Sequence, residues 1–564
     1  MFTLTVVTLL ALAGASLSVS LSYGSFIGSM YEAKRGAVAS MDARCSKAGL
    51  EMLRRGGNAA DAAIATEFCL GVIGMHLTGI GGGGVMLIRD TNGRYELLDF
   101  RETAPAASTE DMFANNVNAS LFGGLASGVP GEVRGLEVLH KKYGSLPWPQ
   151  LLEPAINFAR NGFTIGRDLA GHIGRLSADG PFLEPSWAID FAPNGTVLGL
   201  GDVLKRSRYA DTLQIISDQG PAAFHSGHIA ETIIQALRVK KGIMTLQDLS
   251  SYEVAERKPC TITYGEYRVH GSGAPFGGVV ALNIMNIMKG YENIGARSKL
   301  NLTTHRLDEA MRFGYGLRTK LGDPDYDEGL EKFQHRMLSE ATASDIRSRI
   351  SDETSQPLSA YNPEGLEVMD TPGTSHLSVA DASGMAISLT STINLLFGSY
   401  IMVPETGIIM NNEMNDFSIP RNTDLFGDRP SSVNYIKPGK RPLSSMNPVI
   451  VEFAGNSTLY ALLGAAGSSR IITSVIQGLW NILDRNMSIY DALRAPRFHE
   501  QLSPNQTSYE WEYDNGTVSF MEKRGHITGW LQDGSSIQAV RRLTNGTFEA
   551  VGEPRQQDSG GFAT

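Results

Sequence analysis

The sequence predicts an α+β layered sandwich, antiparallel strands with helices packed on them, from three observations. Pairs of apolar runs joined by short turns recur at 85–100, 375–390 and 449–463. Long stretches at 136–260 and 300–350 read as mostly helical, and an apolar stripe at helical spacing runs through 469–483. Strands able to close only as hairpins, beside helices with one apolar face, bury that surface by layering.

Each element has a local cause. Residues 45–70 read as helix interrupted at Gly56-Gly57, with Asn58 as the N-cap of the second part. The run Gly79 to Gly84 lacks the Gly-Lys-Ser/Thr ending of a phosphate-binding loop and precedes a strand, so a tight structural turn is expected. Thr91-Asn92-Gly93 separates 85–88 from 95–100, and Asn-Gly between apolar runs is a strong hairpin signal. Asp381-Ala382-Ser383-Gly384 and Ala454-Gly455-Asn456 turn the two later hairpins. Residues 411–447, rich in Asn, Pro, Asp and Gly, form a loop too long to be a mere connection. Ile471, Ile472, Val475, Ile476, Leu479, Trp480 and Leu483 fall on one helix face.

Composition narrows the function. Of 564 residues, 42% are hydrophobic and 19% charged, which suits a folded chain with a sizeable core. Asp plus Glu number 59 against 49 Lys plus Arg, a net charge of −10 without a dense basic block, which excludes an ordinary nucleic-acid binder. Residues 1–31 contain no charged side chain and are expected to be a membrane-inserting signal, either cleaved after the small-x-small pattern of Ala13 and Ala15 or retained as an anchor reaching about Leu21. Asn-x-Ser/Thr sequons at Asn118, Asn194, Asn301, Asn456, Asn486, Asn505, Asn515 and Asn545 point the same way, to a glycoprotein secreted or held on the extracellular side of the plasma membrane by a single N-terminal anchor. Among three cysteines, Cys45 and Cys69 flank one helical stretch and could form a disulfide, leaving Cys260 as a buried thiol.

The chemistry concentrates downstream. No His-Glu-x-x-His, Gly-x-Ser-x-Gly or zinc-like cysteine spacing occurs, so no metal or cofactor is expected. Gly373-Thr374 stands directly before a strand and behind Thr371-Pro372. Cutting that bond would give Thr374 a free α-amine with a pKa of about 7.7 to 8.0, a base and a hydroxyl nucleophile on one residue. On the returning strand Thr390, Thr392 and Asn394 alternate and share a face. Glu413 and Asp416 offer two carboxylates, Ser444-Ser445 adjacent hydroxyls, and Arg101 a cation. Gly464-Ala465-Ala466-Gly467-Ser468 ends a strand just before a helix, where backbone N–H groups can face an anion. His376 is expected to serve packing, since the strand carries it away from Thr374's face.

Together these motifs resemble the γ-glutamyltransferase (γ-glutamyl transpeptidase) family: 99–105, Gly373-Thr374-Ser375-His376, Ser391-Thr392-Ile393-Asn394, 412–417, 442–446 and Gly464 to Gly467, in order over about 35–555. Glu413 with Asp416 and the Cys45/Cys69 pair make the likeness greatest to animal members. The resemblance implies an N-terminal-nucleophile hydrolase fold, a four-layer αββα sandwich with two central antiparallel sheets. It implies a precursor that cuts itself at Gly373-Thr374 into a large subunit, 32–373, and a small catalytic subunit, 374–564, sharing one domain as a heterodimer. Thr374 would be the nucleophile and Thr392 would orient it. Arg101, Ser444 and Ser445 would hold the donor's α-carboxylate; Asn394, Glu413 and Asp416 its α-ammonium. The N–H groups of Gly467 and Ser468 would form the oxyanion hole, although the family commonly has Gly-Gly there. The implied activity is cleavage of γ-glutamyl amides such as glutathione, with transfer to amino acids, dipeptides or water. Two alternatives are a related acylase or amidase acting on another amide, and a catalytically silent extracellular homologue; the full set of clamp residues and Thr374 argue against both.

Overall fold

The computed structural model describes residues 33–176, 180–367, 373–420, 429–531 and 534–564. The expected leader, 1–31, and the Thr371-Pro372 turn lie outside them.

Alternation of side chains builds four layers. Among the described residues, thirteen strands form two antiparallel sheets: β1 (Gly36–Ser40), β2 (Gly83–Arg89), β3 (Tyr95–Asp99), β4 (Ala255–Arg257), β5 (Cys260–Tyr264), β6 (Tyr267–Gly271), β7 (Ser375–Asp381), β8 (Ala386–Thr392), β9 (Val449–Phe453), β10 (Leu459–Ala466), β11 (Ser536–Arg542), β12 (Phe548–Val551) and β13 (Gly560–Ala563). The first sheet runs β13-β1-β7-β8-β2-β3-β4 and the second β12-β11-β10-β9-β6-β5. On β7, Leu377 and Val379 face one apolar cluster while Ala380 faces another; on β9, Val449 and Val451 face outward and Ile450 inward. Every strand residue of β7 and β8 is buried, as a sheet covered on both faces requires.

Small residues let the two sheets close on each other. Ala37, Ala39, Ala380 and Ala386 meet Ile450, Leu462 and Val540 between them. His376 also lies there, fully buried, its Nδ1 against the Thr390 hydroxyl at 2.9 Å and its Nε2 against Ser378 at 3.0 Å. Burial lowers its pKa to about 3, so it is a neutral packing group; it packs opposite Thr390, on the face that Thr392 shares, and is not carried to the other face as expected. Thr390 belongs to this intersheet layer, and Thr392, two residues on in the same strand, shares its face. The strand register stops at Thr392, and Asn394 turns with a φ of 72°, which frees it from the alternation.

Helices cover the outer faces. Over the first sheet lie α1 (Ala43–Arg54) and α2 (Ala59–Ile73), with α3 (Glu132–Tyr143), α4 (Trp148–Asn161) and α5 (Ser207–Gln219) beyond them. Asn58 caps α2 through a capping box with Asp61, and the first N–H of that helix also donates to Asp381 at the end of β7. A disulfide joins Cys45 on α1 to Cys69 on α2; Cys260 is free, and burial pushes its thiol up to about 12. The second sheet is covered by α6 (Gly278–Met288), α7 (Leu300–Arg318) and α8 (Arg470–Leu483), the last carrying the expected apolar stripe.

The glycine turn is structural. A Cβ on Gly82 would lie 2.1 Å from the Thr392 carbonyl oxygen, and one on Gly81 2.0 Å from that of Ile409. Backbone approaches that close exclude any side chain. They seat the end of β8 against the head of β2.

Candidate active site

The two inner strands of the first sheet bring the expected centre together. Ser375 of β7 pairs with Ser391 of β8, so Thr374, one residue before β7, lies beside Thr392, the last residue of β8. The Thr392 hydroxyl donates to the Gly373 carbonyl oxygen at 2.6 Å, and the N–H of Asn394 donates to the same hydroxyl oxygen at 2.7 Å. That second bond fixes the oxygen as acceptor and turns its hydrogen onto Gly373. A Cβ on Gly373 would lie 1.8 Å from the Asn394 carbonyl oxygen, so only glycine fits at the junction.

Thr374 opens into a pocket lined by Arg101, Asn394, Glu413, Asp416, Ser444, Ser445 and Ser468. Arg101 follows β3 and is 1% exposed. Its N–H donates to Asp99, and its carbonyl accepts from the Tyr252 hydroxyl. Asp99 is itself gripped by Arg257 at 2.6 Å and Arg441 at 3.3 Å. The guanidinium does not wait as an open fork. Nη1 meets Glu413 at 2.6 Å, Nη2 reaches Asp416 and the Leu443 carbonyl, and Nε donates to the Pro442 carbonyl. Burial opposes its charge, but the two carboxylates overcome that and raise its pKa. Burial likewise pushes the Glu413 carboxyl up, against the pull of Arg101.

The long loop is stitched at its base. The Asn411 amide donates to the carbonyls of Gly81 and Gly128, and its oxygen accepts from the N–H groups of Gly128 and Glu413. These bonds hold the short 3₁₀ turn Glu413–Asp416 over Arg101. The Asn394 amide donates to the Asn412 carbonyl at 2.9 Å, leaving its oxygen as an acceptor. Ser468 reaches the pocket between β10 and α8 in a left-handed conformation, φ 63°. Gly467, φ 124°, packs behind it, where a Cβ would meet Ser535 at 3.0 Å.

One pocket residue escaped the sequence reading. Arg318, the last residue of α7, lines the pocket and donates from Nη2 to the Ser445 hydroxyl at 2.9 Å. It sits in a stretch whose only signal was helicity, far from the recognised motifs.

Two antiparallel sheets between helical layers, with a threonine at the head of an inner strand opening into a charged, serine-lined pocket, define the class: this is an N-terminal-nucleophile hydrolase fold. Comparison with known proteins narrows it. A family model described as gamma-glutamyltranspeptidase matches residues 45–563. The chain is 50% identical over 550 residues to the glutathione hydrolase proenzyme of Arthroderma benhamiae, covering 95% of this chain and 94% of that one. It is 48% identical over 532 residues to the glutathione hydrolase of Aspergillus flavus, covering 93% and 89%. Among solved structures, cephalosporin acylase from Bacillus halodurans superposes with a TM-score of 0.81 at 27% identity, covering 94% of this chain and 96% of that one. The chain belongs to the γ-glutamyltranspeptidase family. Both relatives named are fungal, so the leaning toward animal members stays an expectation.

Proposed function

We propose that the protein is a γ-glutamyl acyltransferase and hydrolase that matures by cutting itself between Gly373 and Thr374. The observation that carries this reading is the Thr392 hydroxyl on the Gly373 carbonyl, 2.6 Å away, beside a pocket of paired opposite charges. Attack by the Thr374 hydroxyl on the Gly373 carbonyl carbon displaces the Thr374 nitrogen and leaves an ester. Water opens the ester, releasing Gly373 as a carboxylate and Thr374 with its α-amine. Both halves stay associated because each contributes strands to both sheets: β1 lies between β7 and β13, and β6 pairs with β9.

In the cut protein the Thr374 amine takes the hydroxyl's proton as the oxygen attacks the γ-carbonyl of the donor. Glu413, Asp416 and the Asn394 oxygen take the donor's ammonium, while Arg101, Ser444 and Ser445 take its carboxylate. The donor's head thus exchanges an internal ion pair, Arg101 with Glu413 and Asp416, for one of its own. Fixing both ends sets the γ-carbonyl over Thr374, which removes the entropic part of the barrier. Backbone N–H groups at Gly467 and Ser468 stabilise the oxyanion. The amine returns its proton to the leaving nitrogen, and water or the amine of an amino acid or dipeptide then takes the acyl group.

Glutathione is the donor class that the relatives' names favour. The chain is secreted, or anchored by residues 1–31 on the extracellular side of the plasma membrane, and glycosylated. In support, Asn118, Asn194, Asn456, Asn486, Asn515 and Asn545 are exposed, whereas Asn301 and Asn505 are half-buried with their side-chain oxygens in hydrogen bonds. Turnover of γ-glutamyl p-nitroanilide, stimulated by a dipeptide acceptor with ping-pong kinetics, is the expected result; no turnover by fully cut protein contradicts it. The likeness to a cephalosporin acylase favours a second reading, hydrolysis of a different amide. It predicts that donors without the zwitterionic head react as well as γ-glutamyl ones.

A further inference from the structure

We propose that Arg318 is a positioning residue for the donor's carboxylate, acting through Ser445 and through its own charge. The inference rests on the γ-glutamyl reading above and adds a cation to the pocket that the sequence motifs do not contain. Three observations carry it.

The first is that Arg101 is already engaged. Four of its N–H directions go to Glu413, Asp416 and the carbonyls of Pro442 and Leu443. A guanidinium has five N–H donors, so Arg101 alone cannot offer a carboxylate its two-bond fork without giving up a partner.

The second is the direction of the serine hydroxyls. Ser445 accepts from Arg318 at 2.9 Å, and Ser444 accepts from the N–H of Met446 at 3.2 Å. A hydroxyl held as an acceptor has one hydrogen left to donate. Among the described residues neither hydrogen finds a protein acceptor, and both serines line the pocket. Arg318 thereby makes Ser445 a donor aimed at an anion, the form a carboxylate needs.

The third is charge balance. Holding the donor's ammonium requires Glu413 and Asp416 to be ionised, and in that form two carboxylates stand against the single cation Arg101. Without Arg318 the pocket is net negative and repels a carboxylate. With Arg318, 6% exposed, two cations face two anions, which matches a zwitterion.

The test compares two anilides, γ-glutamyl p-nitroanilide and 4-aminobutanoyl p-nitroanilide, which lacks only the α-carboxylate, on wild-type, Arg318→Gln and Arg318→Lys proteins shown by gel to be fully cut. Loss of a charge-assisted bond corresponds to about 10- to 100-fold. Arg318→Gln is expected to raise KM for the γ-glutamyl donor by that factor with little change in kcat, and to leave kcat/KM for the aminobutanoyl donor unchanged. Arg318→Lys, which keeps the charge, is expected to recover part of the loss. In an Arg318→Gln, Ser445→Ala double mutant the two effects should be less than additive. Equal losses on both anilides, or none on either, would overturn the proposal. If Arg318→Gln is not cut, Arg318→Lys decides it alone: a rise in KM confined to the γ-glutamyl donor supports the proposal, and an equal loss on both anilides, or none, overturns it. Wild-type protein inert toward γ-glutamyl p-nitroanilide would instead refute the function on which the proposal stands.

Discussion

Replacing Thr392 by valine removes one hydroxyl and keeps the volume, and the structure gives the size of the effect. In the continuous chain that hydroxyl donates to the carbonyl that must be attacked, at 2.6 Å, with its oxygen locked by the Asn394 N–H. As Thr374 attacks, the Gly373 oxygen gains negative charge and the bond strengthens. Losing one such donor costs about 10²- to 10³-fold in rate. The substitution also leaves the Asn394 N–H buried without its acceptor, a stability cost of about 1–3 kcal/mol. Thr392→Ser separates the two effects because it restores the hydroxyl alone. The assay follows loss of the full-length band on a denaturing gel from freshly folded protein, with thermal unfolding as the check on folding. Expected are a cleavage half-time lengthened at least a hundredfold in Thr392→Val and near-normal in Thr392→Ser. Cutting of a well-folded Thr392→Val at the wild-type rate would refute the role given to this bond.

Further outcomes follow from the same geometry. Glu413 must be ionised to hold an ammonium, and burial raises its pKa, so donor binding present above that pKa is lost as pH falls through it, higher than for an ordinary carboxylate. KM for γ-glutamyl donors should then climb about tenfold per unit below it, and a KM flat from pH 8 to 5 contradicts this. The Cys45–Cys69 bond closes a loop with a sequence separation of 24, worth about 3.5 kcal/mol in the chain-entropy account. The double alanine variant should unfold at lower urea, and peptide mapping should find Cys260 as a thiol. Ser468 holds a positive φ that glycine adopts freely, so Ser468→Gly should stabilise by about 1 kcal/mol and raise kcat; a destabilised variant would show that its side chain is needed.

Local chemistry made much of this legible. The Asn-Gly turn and the Asn58 cap each act over a few residues, so the hairpins and the broken helix could be read directly. The long loop was legible as functional but not in its path, because Asn411 sets that path through bonds to Gly81 and Gly128, hundreds of residues away. Strand periodicity rightly put Thr390 with Thr392 on one face of β8, and it failed at Asn394, where the strand had ended. Arg318 left no trace, since an arginine closing a helix looks the same whether it faces solvent or a pocket. The pairing of Arg101 with Glu413 and Asp416 was also hidden: motifs named the charges but not that they neutralise one another before a ligand arrives.

The central claim is that Thr374 becomes the nucleophile by freeing its own amine. N-terminal sequencing and intact mass of the wild-type and Thr374→Ala proteins test it most directly. The account predicts a small chain of residues 374–564 beginning Thr-Ser-His-Leu in the wild type, and a single uncut, inactive chain in the variant. A small chain with any other N-terminus, or cleavage that persists in Thr374→Ala, would contradict it.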